Sequence, residues 1–197
     1  MYKSDQFGRS MIEMLGVLSV VGVLSVGGLS VVNSAQQRKN EGQLVADTAQ
    51  IAMISKKLAC QYDDAYSTYT NFLNRSEAIP SNLTYNSSSN QIEGVMDSIT
   101  KVTGNDKYFA VSVEGINESA CIKMATTDWG KRNSNGCLGV SIGANDLSTC
   151  MLSGNCASSA FAVTSNDASK YPMSAATAAT HCSGNNNTVK VWFKACR

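Results

Sequence analysis

Glu13 is the ionisable residue at the edge of the most apolar stretch of the chain. It stands five residues after Gly8 and directly before Met14–Val32, nineteen residues with no charge and no proline. A carboxylate beside so apolar a run is costly unless it meets a cation, so it reads as functional. Arg9, four residues earlier, offers such a cation. The seven cysteines are the second set of reactive groups. That number points to an oxidising compartment, and its oddness leaves at least one thiol unpaired or bonded to another chain. The spacings 150/156 and 182/196 are not those of a zinc site, because two-residue spacers and a second histidine are missing. His181 beside Cys182 suggests a Cys–His nucleophile, but neighbours on an extended segment point in opposite directions. Asp63-Asp64 and Asn145-Asp146 are candidate calcium ligands that read better as solvated loop residues. No catalytic residue, metal site or cofactor is expected.

The elements that position these groups begin with the apolar run. As a helix it reaches about 28 Å, close to the apolar thickness of a bilayer. Gly16, Ser19, Gly22, Ser25 and Gly28 recur every third position within it, and small residues let backbones approach closely. From Asn33 the pattern turns amphipathic without a break signal. Leu44, Ile51 and Leu58 repeat every seven residues, with Val45, Ala49, Ala52 and Ala59 beside them. Gln36, Gln37, Arg38, Lys39, Glu41 and Asp47 fall among the polar positions. The pattern predicts one helix from Ser10 to about Cys60, about 75 Å long, laid on a core in its second half. Lys56 and Lys57 suit the negative end of its dipole.

Gly8, four residues, Glu13 and a long apolar helix together resemble the class III signal of type IV prepilins. The resemblance implies cleavage after Gly8 by a prepilin peptidase and a mature chain that starts at Arg9. Glu13 then stands at mature position five, where the family has its glutamate. The family's new terminus is apolar and N-methylated, whereas here Arg9 takes that place. Two other readings of the stretch are a signal anchor and a cleaved secretory signal peptide. For the latter, Asn33-Ser34-Ala35 is a poor cleavage box and Glu13 sits where basic residues belong.

In the rest of the chain, net charge is +1, from 16 basic and 15 acidic residues, and nothing argues for nucleic acid. Two short helices are expected in 61–107, Ala65–Glu77 and Ile92–Val102, with Tyr85–Asn90 as a loop between them. Tyr108–Ile116 alternates and is β-branched, a strand. Asn117 N-caps an expected helix Glu118–Thr126 that contains Cys121. Cys137–Ile142 and Thr188–Lys194 read as further strands, and Gly143–Thr180 has no strong period.

This order resembles the head of type IVb pilins, of the toxin-coregulated kind. The resemblance implies an α+β type IV pilin fold, with a long N-terminal helix packed on an antiparallel sheet. It implies a disulfide between Cys121 and Cys182 around a variable D-region. Sequence proximity alone suggests Cys150 with Cys156, and Cys60, Cys137 and Cys196 are left open. The expected segments are a leader 1–8, a transmembrane and assembly half-helix 9–32, an amphipathic half-helix 33–60, an αβ-loop 61–107 and a head 108–197. The implied function is that of a pilus subunit, a homo-oligomer assembling through Arg9 and Glu13. Its implied partners are the prepilin peptidase, an inner-membrane assembly platform and the membrane before assembly. The implied location is the bacterial inner membrane as a single-pass protein, then an extracellular pilus. A minor pilin or type II secretion pseudopilin is the alternative within that machinery. A membrane-anchored periplasmic binding protein or enzyme is the alternative from another class.

Overall fold

The computed structural model describes residues 6–60, 69–105, 107–130, 136–153, 156, 162–165, 167 and 170–195, the side chains of 6–30, 59, 69 and 149 apart. Helix α1 spans Gln6–Ala59. The chain divides into two compact units, Met1–Asn40 and Glu41–Arg197. In the first, residues 31–39 are helical and exposed, and the Gln36 side-chain amide donates to Asn40 Oδ1 one turn on. The expected single-pass inner-membrane location is corrected by the structure. Among the described residues no helix is long and apolar enough to cross a membrane. The described side chains of α1 include Arg38, Lys39, Glu41, Asp47, Lys56 and Lys57, and such charges are costly in a bilayer core.

The second unit is an α+β domain built on a seven-stranded antiparallel sheet. Its strands are β1 (Thr84–Asn86), β2 (Gln91–Glu93), β3 (Ile99–Gly104), β4 (Tyr108–Ile116), β5 (Cys137–Ile142), β6 (Ala162–Thr164) and β7 (Asn187–Lys194), in the order β1-β2-β3-β4-β7-β5-β6. The last strand therefore lies inside the sheet, paired with β4 and β5. Alternation on these strands separates two faces. Phe109, Val111 and Val113 of β4 and Val189, Val191 and Phe193 of β7 join the larger core, with Leu44, Ile51 and Ala52 of α1. Phe109 and Phe193 stack there with ring centroids 5.2 Å apart. Ala110 and Trp192 face the other way, into a smaller core with Leu138, Met151 and Ala162.

Among the described residues, four further α-helices complete the unit: α2 (Tyr69–Arg75), α3 (Glu118–Thr126), α4 (Ser148–Ser153) and α5 (Ala175–His181). Ala120, Cys121 and Met124 of α3 and Ala178 of α5 belong to the larger core, while Met151 of α4 belongs to the smaller one. The Asn117 side chain accepts the Ala120 N–H, a cap that fixes where α3 starts. Gly139, at φ 154°, lets β6 pair closely, since a Cβ there would collide with the Val163 carbonyl oxygen.

One expected helix is corrected. Ile92–Val102 is not an α-helix but forms β2, a tight turn and β3. Ile92, Val95, Met96, Ile99 and Val102 mimic a helical period only because a turn separates two strands. Gly94 N–H donates to the Ser98 carbonyl and Ser98 N–H to that of Val95. The turn places Met96 and Asp97 at φ 62° and 56°. The β-branched Ile99, Thr100, Val102 and Thr103 suit the strand that follows. The expected loop at 85–90 is likewise the hairpin of β1 and β2. In the region without period, the structure adds α4, β6 and α5.

Candidate functional site

Gly8, Arg9 and Glu13 fall within the bounds of α1, but their side chains lie outside the described residues. The described side chains of the predicted assembly helix begin at Val31. Its face toward the sheet follows 41, 44, 48, 51, 55 and 58, alternate steps of three and four. Leu44 and Ile51 are buried, Thr48 and Ser55 are buried too, and Leu58 packs partly against the core. The Thr48 hydroxyl donates to the Leu44 carbonyl within its own helix, which satisfies it without a partner in the core.

Glu41 lies on the same stripe, and both it and Asp47 are buried, at 8 % and 7 % exposure. Both fall among the polar positions of the sequence pattern, and the structure buries them. Glu41 Oε1 accepts a hydrogen bond from the Ser119 hydroxyl in the first turn of α3. A helix N-terminus carries partial positive charge, which favours a carboxylate at that place. Asp47 Oδ1 accepts from the Asn82 side-chain amide at 2.8 Å. Asp47 Oδ2 is buried with no hydrogen-bond partner among the described residues. These contacts anchor 41–58 to the segments before β1 and after β4. Elsewhere α1 does the opposite. Val31, Val32 and Met53 are large apolar side chains exposed at 68 %, 62 % and 67 %.

Two disulfides fix the variable region. Cys121 of α3 bonds Cys182, the residue closing α5, and Cys150 bonds Cys156 after the end of α4. Cys182 therefore has no thiol to offer His181. Cys60 is disulfide-bonded as well, its partner lying outside the described residues. Asp63 and Asp64 also lie outside them. Asp146 Oδ1 accepts the Ser148 N–H at the start of α4, and the Asn145 carbonyl accepts from Lys190 Nζ, so this pair organises the loop. Burial on the sheet face lowers the Lys190 pKa, partly offset by Asp146 and Glu114.

Sequence reasoning missed the buried pair Cys137 and Tyr171. The thiol lies 3.5 Å from the Tyr171 hydroxyl, and that hydroxyl accepts the Trp129 N–H at 2.9 Å. Burial pushes the Cys137 pKa from 9.0 up to about 11, against the lowering effect of the Tyr171 hydrogen bond. Burial likewise raises Tyr171, with the neighbouring thiol as the next cause. A thiol so protonated is a poor nucleophile, and the pair packs Tyr171 against the start of β5 inside the larger core. No spacing rule links residues 137 and 171, and only the odd cysteine count signalled an unpaired thiol.

No protein-family model matches the chain, and no curated protein does.

Proposed function

We propose that the chain is the structural subunit of a type IV pilus, of the type IVb kind, and is not an enzyme. In this reading a prepilin peptidase cuts after Gly8, and copies polymerise through α1 into a helical filament. The observation that carries it is the order along the chain. The Gly8, Arg9 and Glu13 motif and the apolar run lie within the bounds of α1, and residues 44–58 of that helix pack on an antiparallel sheet whose flanking helices α3 and α5 are joined by Cys121–Cys182. The exposed Val31, Val32 and Met53 on that helix support it further, because packing between copies would shield them.

Cleavage frees an α-amino group on Arg9 with an ordinary pKa of about 8. The new terminus of an incoming copy meets Glu13 of a copy already in place, which sets the axial register. Apolar side chains supply the adhesion, and the Arg9 guanidinium offers the same carboxylate a second cation. The test has two arms. N-terminal sequencing after co-expression with a prepilin peptidase should give Arg9, and Gly8→Val should block the cut. Glu13→Leu, as the sole subunit, should be cleaved and fold its head yet form no filament. An intact Met1 or a start at Gln36 would sink the reading, and normal filaments from Glu13→Leu would sink the register mechanism.

A further inference from the structure

Gly42 stands inside α1, where a glycine weakens a helix because its backbone has the most freedom to lose. The glycines described from 115 to 184 all have a positive φ, between 66° and 154°, which accounts for them. At Gly94 a Cβ would stand 3.1 Å from the Ser98 hydroxyl, and at Gly104 it would collide with the Tyr108 carbonyl oxygen. Gly42 has neither reason. A Cβ there would meet nothing within 4 Å, and the residue is exposed. The helix is fastened unequally on its two sides. Residues 31–39 are all exposed, whereas Leu44, Asp47, Thr48 and Ile51 are buried. Glu41, directly before the glycine, is the first buried residue of α1 among those whose side chains are described. Its carboxylate takes the Ser119 hydroxyl in the first turn of α3.

We propose that Gly42 is a hinge in α1 and that Glu41 is the latch that holds it shut. While Glu41 keeps Ser119, the turn around Gly42 stays helical. A contact that draws the carboxylate off Ser119 shifts the population toward an open form. There φ and ψ of Gly42 absorb the change, as the few residues of a hinge do. The residues before Gly42 then change direction, while Leu44 and Ile51 stay in the core. A glycine that only lowered helix propensity would serve as well anywhere on the exposed side of α1, and its place beside the latch would have no consequence. The device depends neither on cleavage after Gly8 nor on polymerisation, so its test is separate from theirs.

Amide hydrogen exchange of the full chain in mild detergent, read residue by residue, reports the opening locally. Glu41→Ala should speed exchange over residues 39–45 by about fivefold or more, the effect of one lost hydrogen bond, and leave 48–58 at the wild-type rate. Ser119→Ala, which leaves α1 untouched, should act in the same direction and serves if Glu41→Ala fails to fold. Adding Gly42→Ala to either variant should return 39–45 at least to the wild-type rate. Moving the glycine one turn on, with Gly42→Ala and Ala46→Gly together, should not bring the fast exchange back, because residue 46 lies between the buried Leu44 and Asp47. Three results would overturn the proposal. The first is an acceleration spread evenly over 39–58, or none in either latch variant. The second is fast exchange that persists after Gly42→Ala. The third is fast exchange over 39–45 restored by the glycine at position 46, which would reduce Gly42 to helix propensity.

Discussion

Glu41 and Cys137 are opposite ways of keeping a reactive group inside a core. Glu41 is an acid held at the start of α3, through the Ser119 hydroxyl. Glu41→Ala removes an anion from a helix N-terminus and strands that hydroxyl, and should cost about 1–3 kcal/mol in urea denaturation. Glu41→Gln keeps an acceptor and should cost less. Cys137 is instead kept neutral. Its folded pKa, about 11, exceeds the unfolded value of 9.0, so the folded state holds the proton more tightly. Its contribution is then fully present below pH 9 and is lost as pH rises through 11. From pH 9 to pH 11 the wild type should lose about 2 kcal/mol more stability than Cys137→Ala. Equal losses would mean that the thiol is not desolvated. The stripe that holds Glu41 is legible in the sequence, since 41 continues the steps of three and four through Leu44 and Ile51. The burial of Glu41 is not, because composition places a glutamate at the surface by default. The Cys137–Tyr171 contact is not legible either, because two loops bring the partners together and no periodicity records that.

At the scale of elements, chain order explains which parts could be read in advance. The strand Tyr108–Ile116, the cap at Asn117 and the helix after it are local signals, and the structure reproduces their boundaries. Ile92–Val102 failed because a turn of two left-handed residues, Met96 and Asp97, lacks the usual Asn-Gly or Asp-Gly signal. Without a visible turn, five apolar residues spread over two strands look like one helical face. The short elements of 143–180 escaped for another reason. Their seats depend on distant residues, as Gly139 makes room for β6 and Met151 packs against Leu138 and Trp192. The disulfide Cys121–Cys182 ties the helices α3 and α5 across 61 residues of sequence, and closing a long loop constrains the unfolded chain most. Cys121→Ser should therefore lower the stability of the head by about 2–5 kcal/mol, measured by thermal or urea unfolding. The six-residue separation of Cys150 and Cys156 predicts a smaller effect for Cys150→Ser in the same assay.

For the whole molecule, the account rests on a division of labour along α1. Leu44 and Ile51 pack into the core on the sheet, and Glu41 and Asp47 bond Ser119 of α3 and Asn82 before β1, while Val31, Val32 and Met53 remain exposed. In a filament, packing between copies would cover these side chains. The central claim is that these copies form the body of a filament. Immunogold electron microscopy with antibodies against the head, in cells carrying the chain with its prepilin peptidase, tests it most directly. The account predicts filaments decorated along their whole length, and their loss with Glu13→Leu. Gold confined to filament tips, or the absence of any decorated filament when the cleaved chain is present, would contradict it.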